Sequence, residues 1–311
     1  MCAWRKSLVV AHQVKQVAHV LAQREKVRWL FLTLTIRNCE GSELKPTVTE
    51  LMEGFRRLMM YKAVKGATLG WFRALEVTHN LDEFSESYDT YHPHFHVLIA
   101  VKPSYFGKGY IDQAQWTSLW KKAMKLSYEP VVHIQTVKEK SRNQDKENQL
   151  LADHGIEIAP NGEFNELPAS VVAETAKYTI KSSDYVIFED KCYCTPSRKS
   201  KRSKQQKKDY CKCGNPEKSL FDYKVDEYET DKAVSILEDA LAHRRLYAYG
   251  GVLKDIWNEL QANGKVKDVE DEDADLVHVE EAPADCKCSS CQSELTERIY
   301  RWAVGAKHYI G

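Results

Sequence analysis

The sequence predicts an α+β fold: a central, mostly antiparallel sheet, helices packed behind it, and a helical C-terminal region. Three observations carry this. Residues 91–101, Tyr-His-Pro-His-Phe-His-Val-Leu-Ile-Ala-Val, alternate from His94 onward, with His94, His96, Leu98 and Ala100 on one side and Phe95, Val97, Ile99 and Val101 on the other. A period of two is the signature of a strand. Residues 29–36, Trp-Leu-Phe-Leu-Thr-Leu-Thr-Ile, are apolar, aromatic and β-branched, which fits a buried central strand. Apolar residues at helical spacing fill several of the stretches between such runs.

In chain order, residues 1–26 read as a basic, helical leader, and the first strand covers 27–37. Thr47-Val-Thr-Glu50 has the form of a capping box ahead of Leu51, Phe55, Leu58 and Met59, so an amphipathic helix is expected over 47–64. Residues 71–78 form a second strand containing Glu76. A polar loop with Asn80, Asp82, Ser85 and Asp89 follows. If this strand and the 94–101 strand form a hairpin centred near residue 85, Glu76 faces His94 and His96. Asp112 and Gln115 can cap a helix with Trp116, Leu119, Trp120, Ala123 and Met124 as its apolar stripe. A short strand over 131–137 and a charged excursion over 138–166 come next. Pro168 can open a helix on which Glu174, Tyr178 and Lys181 fall at i, i+4 and i+7, on one face. Helices are expected at 231–246 and 252–261. Around the end of the first, Arg244, Arg245, Tyr247 and Tyr249 precede Gly250-Gly251, a pattern that can meet DNA or pack on the core.

Composition narrows the class. The 311 residues are 43% hydrophobic, enough for a core. No apolar run reaches membrane-spanning length and the N-terminus lacks a signal peptide's plan, so a cytoplasmic protein without a membrane partner is expected. Lys+Arg and Asp+Glu both number 45, so net charge makes no case for nucleic acid. The charge is uneven, however: 198–208 is basic and 268–275 acidic. Seven of the nine cysteines cluster (Cys192 and Cys194; Cys211 and Cys213; Cys286, Cys288 and Cys291) and can hold zinc, although Cys-x-Cys spacing is less specific than paired Cys-x-x-Cys knuckles. Reduced, unliganded thiols are the alternative.

Two histidines at i and i+2 on a strand can share one divalent ion, because both side chains leave the same face. With Glu76 opposite, three ligands converge. An ion there would polarise a phosphodiester oxygen, and a tyrosine hydroxyl such as that of Tyr178 could attack phosphorus.

These residues resemble the HUH endonucleases, in particular the rolling-circle replication initiators of small bacterial plasmids. Phe31-Leu-Thr-Leu-Thr35 looks like the first motif of that family. His92-Pro-His-Phe-His-Val-Leu98 looks like the second, and Glu174-x-x-x-Tyr178-x-x-Lys181 like the third, in the branch with one catalytic tyrosine. The resemblance covers about residues 27–190 and implies an RRM-like sheet. It implies that Glu76, His94 and His96 bind Mn²⁺ or Mg²⁺, and that Tyr178 nicks one strand at a plasmid double-strand origin. Tyr178 would keep the 5′-phosphate and free a 3′-OH primer. Glu174 would activate water for the terminating cleavage, and Lys181 would contact phosphate near the ion. Origin DNA, a host helicase and a polymerase are the implied partners, and a dimer is compatible with the pattern. Tyr185 is the weaker candidate nucleophile. Pro93 is expected to take His92, an alternative ligand, out of strand register. The expected organisation is a leader (1–26), the nuclease domain (27–190), a basic cysteine-containing linker or insertion (191–215) and a C-terminal accessory region (216–311) in which zinc or reduced thiols are the two alternatives. A relaxase, a single-tyrosine transposase of the same class, and a non-catalytic DNA-binding regulator on the same sheet are the competing readings.

Overall fold

The computed structural model describes residues 3–107, 109–137, 167, 181–189, 191–193, 223–266, 301–303 and 308–310. Helix α1 (Ala3–Arg24) leads into strand β1 (Arg28–Thr35). Helices α2 (Leu44–Met60) and α3 (Lys62–Ala67) follow, then the long strands β2 (Thr68–Asn80) and β3 (Thr90–Val101). Helix α4 (Gln113–Met124) and strand β4 (Val132–Thr136) come next. After Ser182–Asp184, a 3₁₀ turn, come α5 (Glu227–Leu241), β5 (Tyr247–Gly251) and α6 (Val252–Ala262). A separate two-stranded pair, β6 (Arg301–Ala303) and β7 (His308–Ile310), is antiparallel.

The five main strands form one sheet in the order β4-β1-β3-β2-β5, and every adjacent pair is antiparallel. This is the expected α+β architecture. Alternation along the strands divides the side chains between two cores. Leu30, Leu32 and Leu34 of β1, Leu75 and Val77 of β2, and Phe95, Val97 and Ile99 of β3 face a core closed by α2, α4 and α5. On the opposite face, Trp29, Phe72, Leu98 and Ala100 pack under Val10, Val14, Val17 and Leu21 of α1 and Leu253, Ile256 and Leu260 of α6. Both helices therefore present one apolar stripe to the sheet.

Several boundaries differ from the sequence reading, each for a local reason. Helix α2 begins at Leu44, not at the Thr47 box. The 3₁₀ turn Gly41–Glu43 feeds straight into it, and Glu43 is the N-cap without a side-chain bond. Pro46 then sits in the first turn, where a missing amide hydrogen costs nothing. The helix stops at Tyr61, whose backbone is extended. The Asp112–Gln115 capping box of α4 forms as expected, with Gln115 N–H donating to Asp112 at 2.7 Å and Asp112 N–H to Gln115 at 3.0 Å. Helix α5 starts at Glu227, capped by Asp226, and ends at Leu241 rather than at 246. The Tyr247–Gly251 stretch is a strand that packs on the core, the second of the two alternatives the sequence left open. Tyr249 lies 4.9 Å from Phe72 ring to ring, and Arg244 bonds Thr49 and the Ala240 and Lys45 carbonyls. Glycine is required at its end: Gly251 has φ +58°, and an added Cβ there would lie 2.4 Å from the Leu69 carbonyl oxygen. Among the described residues no helix is long and apolar enough to cross a membrane.

Candidate metal centre

The helix expected to carry Glu174 and Tyr178 lies outside the described residues, as do the 138–166 excursion, the 198–208 and 268–275 charge blocks, and Cys194, Cys211, Cys213, Cys286, Cys288 and Cys291. Cys192 is described and half-buried. The centre itself is built from β2 and β3.

The hairpin register sets Glu76 directly opposite His94, and Ala74 opposite His96. All three functional side chains leave the sheet face that α1 and α6 cover further along. Both histidine Nε2 atoms point at one carboxylate oxygen: Glu76 Oε2 lies 2.8 Å from His96 Nε2 and 3.3 Å from His94 Nε2. Lys181 completes the set by donating from Nζ to the other oxygen, Oε1. One ligand atom from each of Glu76, His94 and His96 lies within 4.8 Å of the other two. Glu76 is 3% exposed. Burial pushes its carboxyl up, but the hydrogen bonds from His94, His96 and Lys181 together outweigh burial and hold it well below the usual carboxylate range.

The outer ring nitrogens are also placed. His94 Nδ1 lies 3.1 Å from the His92 carbonyl oxygen, and His96 Nδ1 lies 3.4 Å from Thr33 Oγ1. A histidine that binds a metal through Nε2 carries its proton on Nδ1 and needs an acceptor there. Both rings have one. The donor set, one buried carboxylate and two imidazoles with occupied outer nitrogens, fits a divalent cation such as Mn²⁺ or Mg²⁺, imidazole favouring the transition metal. Phe31 lies under His96 with ring centroids 5.6 Å apart and planes 20° from parallel.

Two expectations about this region need correction or addition. Pro93 does not take His92 out of register. It pairs with Val77 inside β3, just past His94, where β1 ends at Thr35. With no β1 residue beside it, its missing amide hydrogen breaks no ladder bond on that side. His92 therefore faces the same way as His94 and stacks on it at 5.0 Å, contributing its backbone carbonyl rather than a ring nitrogen to the centre. The sequence places Thr33 in the first strand motif but assigns it no partner. The bond to His96 follows from β1 lying beside β3, where Thr33 pairs with His96.

Lys181 reaches Glu76 from the start of the 3₁₀ turn Ser182–Asp184. Tyr185 packs with the core on the other face of the sheet, in an apolar cleft of about 560 Å³ that also includes Leu237, Leu241 and Leu246.

Comparison with known proteins gives the family. A model of replication proteins, Rep_1, matches residues 1–310. A "Protein rep" of a Bacillus species is 42% identical over 279 residues, covering 90% of this chain and 73% of that protein. Another from Bacillus amyloliquefaciens is 39% identical over 310 residues, covering 100% of this chain and 74% of its own length. A "Replication protein" of Staphylococcus aureus is 32% identical over 270 residues, with 86% of each chain covered. With the match running along essentially its whole length, the chain belongs to the Rep_1 family of replication proteins.

Proposed function

We propose that this protein initiates plasmid rolling-circle replication by nicking one strand of origin DNA through a covalent tyrosine intermediate. The observation that carries the reading is the convergence of Glu76, His94 and His96 on one buried point of the sheet face, with both outer imidazole nitrogens occupied. The membership in a replication-protein family supports it.

Glu76, His94 and His96 would hold a divalent ion, which when bound would supply charge neutralisation at the scissile phosphate. The chain's own groups do the rest. The Tyr178 hydroxyl attacks phosphorus, its O–P bond forming as the bond from phosphorus to the 3′ oxygen breaks. The phenolic proton is lost and the leaving oxygen gains one, giving a 3′-OH primer and a 5′-phosphotyrosine. A host helicase and polymerase would then use that primer. Glu174 takes a proton from water in the terminating cleavage, so the initiator is not reused. Lys181, already at the centre, offers its ammonium to phosphate oxygens. The substrate in this reading is origin DNA at a single-stranded or hairpin nick site.

The test is incubation with supercoiled plasmid bearing a candidate origin and Mn²⁺. Relaxed circles and a protein–DNA adduct are expected, and Tyr178→Phe removes the adduct while leaving a gel shift intact. Shifted but uncut DNA defeats the nicking mechanism and leaves a DNA-binding regulator. An adduct that persists in Tyr178→Phe moves the nucleophile elsewhere; the packing of Tyr185 against α5 argues against that residue. For zinc at Cys192, Cys194, Cys211, Cys213, Cys286, Cys288 and Cys291, elemental analysis of fresh protein is decisive.

A further inference from the structure

Strand β5 covers the edge of β2 only as far as Ala74, with one more bond from Leu75 N–H to the Leu246 carbonyl. Beyond that point the turn containing Lys181 and Asp184 lies across the β2 edge. It touches both faces of the sheet. On one face Lys181 Nζ donates to Glu76. On the other face His79, which alternates with Leu75 and Val77, meets the backbone of Asp184: His79 Nδ1 is 3.3 Å from the Asp184 carbonyl oxygen.

This contact is held at both ends. The His79 ring is buried, stacks flat on Tyr91 at 4.3 Å, and has Nε2 2.9 Å from Asp89 Oδ1. Asp89 in turn accepts from Lys232 Nζ on α5 at 3.4 Å. Asp184 is buried, and its carboxylate closes the turn: Lys181 N–H donates to Asp184 Oδ2 at 2.9 Å, and Asp184 N–H donates back to the Lys181 carbonyl at 2.9 Å. Burial raises the Asp184 carboxyl; backbone hydrogen bonds from Lys181 and His79 oppose that rise. A carboxylate is rarely kept buried without partners, and here its partners are the two backbone stretches being joined.

We propose that Asp184 and His79 are positioning residues that clamp this turn across the β2 edge, fixing the Lys181 ammonium on Glu76 so that it sets the affinity of the centre for a divalent cation. The proposal rests on the reading of Glu76, His94 and His96 as a metal site. The reason is electrostatic. The ammonium competes for Glu76 and repels a cation a few ångströms away, and the low dielectric of a buried site magnifies the repulsion. Glu76 also lies 3.3 Å from His94 Nε2 and 2.8 Å from His96 Nε2 and is buried on β2, so it stays in place when the lysine leaves.

The experiment is Mn²⁺ titration of the full chain and of its variants by calorimetry, with amide hydrogen exchange at 181–185 measured on metal-free protein. Lys181→Ala tightens Mn²⁺ about tenfold. Asp184→Ala tightens it in the same direction by part of that factor and speeds exchange of the Lys181 amide about tenfold. Asp184→Asn retains the acceptor oxygen and restores both values. His79→Ala, which severs the clamp from the strand side, behaves as Asp184→Ala does, so a variant that fails to fold leaves another to decide. In the Lys181→Ala background Asp184→Ala adds no further change in Mn²⁺ affinity. An equal effect of Asp184→Ala in both backgrounds, or no effect of it on Mn²⁺ in folded protein, overturns the proposal. If the intact chain binds no Mn²⁺, it is the metal reading that falls, and the exchange measurement still reports whether Asp184 holds the turn.

Discussion

The two threonines of the first strand motif make opposite predictions, because the same face of β1 gives them different partners. Thr33 Oγ1 faces His96 Nδ1 at 3.4 Å, whereas Thr35 Oγ1 donates to the Val131 carbonyl at 2.8 Å. Valine is close in shape to threonine and suits a strand, so Thr33→Val removes the hydroxyl with little disturbance of packing. What is lost is the acceptor for the Nδ1 proton that His96 must carry when Nε2 binds a cation. Groups in this role are worth 10–100-fold in metal affinity. The 3.4 Å separation is long for a hydrogen bond, which puts Thr33 at the lower end, about tenfold, or about 1.4 kcal/mol. Thr35→Val removes no hydrogen-bond partner of either histidine. It costs about 1 kcal/mol of folding stability through the lost bond to β4's approach, with Mn²⁺ affinity unchanged. Calorimetric Mn²⁺ titration with urea unfolding of each variant separates the two effects. If both variants weaken Mn²⁺ equally, or Thr33→Val leaves it unaltered, Thr33 does not orient His96.

Other consequences are checked by unfolding. Gly251→Ala places a side chain in a glycine-only backbone region and against the Leu69 carbonyl, and costs about 2 kcal/mol or more, read as a lower urea midpoint. Arg73 is buried over the Phe95 ring at 4.8 Å; among the described residues its guanidinium makes one 3.3 Å bond, from Nη2 to the Arg245 carbonyl, and Nη1 has no partner. Burial draws its pKa down to about 10, so its charge is a net cost at neutral pH, and Arg73→Met is expected to stabilise by about 1–3 kcal/mol. Glu76 is held below its ordinary range, so its contribution in metal-free protein is present above about pH 4.3 and lost as pH falls below it. Glu76→Gln should therefore flatten the acid limb of the stability profile, and an unchanged limb would contradict that sign.

The parts of the centre legible in the sequence are those that depend on local geometry. Alternation fixed the side on which His94 and His96 lie, and the length of the loop between two strands fixed Glu76 opposite His94. The rest depends on contacts between distant segments. Thr33 meets His96 because β1 inserts beside β3, 63 residues away. His79 and Asp184 are 105 residues apart and carry no pattern of their own. Strand β5 was missed because Tyr-Ala-Tyr-Gly-Gly ends in residues that usually break strands. Its stability comes from pairing to β2 and from the approach of Trp71 to Gly250, where no Cβ fits. The capping box at Thr47 was a false start because the chain enters α2 from a 3₁₀ turn, which needs no side-chain cap.

Fold and site are coupled through register. Across β1, β3 and β2 the rows on one face run from Phe31, Leu98 and Phe72, through Thr33, His96 and Ala74, to Thr35, His94 and Glu76. Two residues along each strand take the surface from a core under α1 and α6 to a polar centre. On the reverse face Phe95, Val97, Leu32, Leu34 and Leu75 are fully buried. A slip of one residue would exchange the faces, driving two imidazoles into an apolar core and leucines into solvent. The hydrophobic pattern of the reverse face thus holds the ligands in line, at a cost for any slipped pairing of several buried side chains at about 1.5–3 kcal/mol each. Substitutions such as Phe95→Ala, which never touch the centre, should therefore loosen cation binding as well as folding.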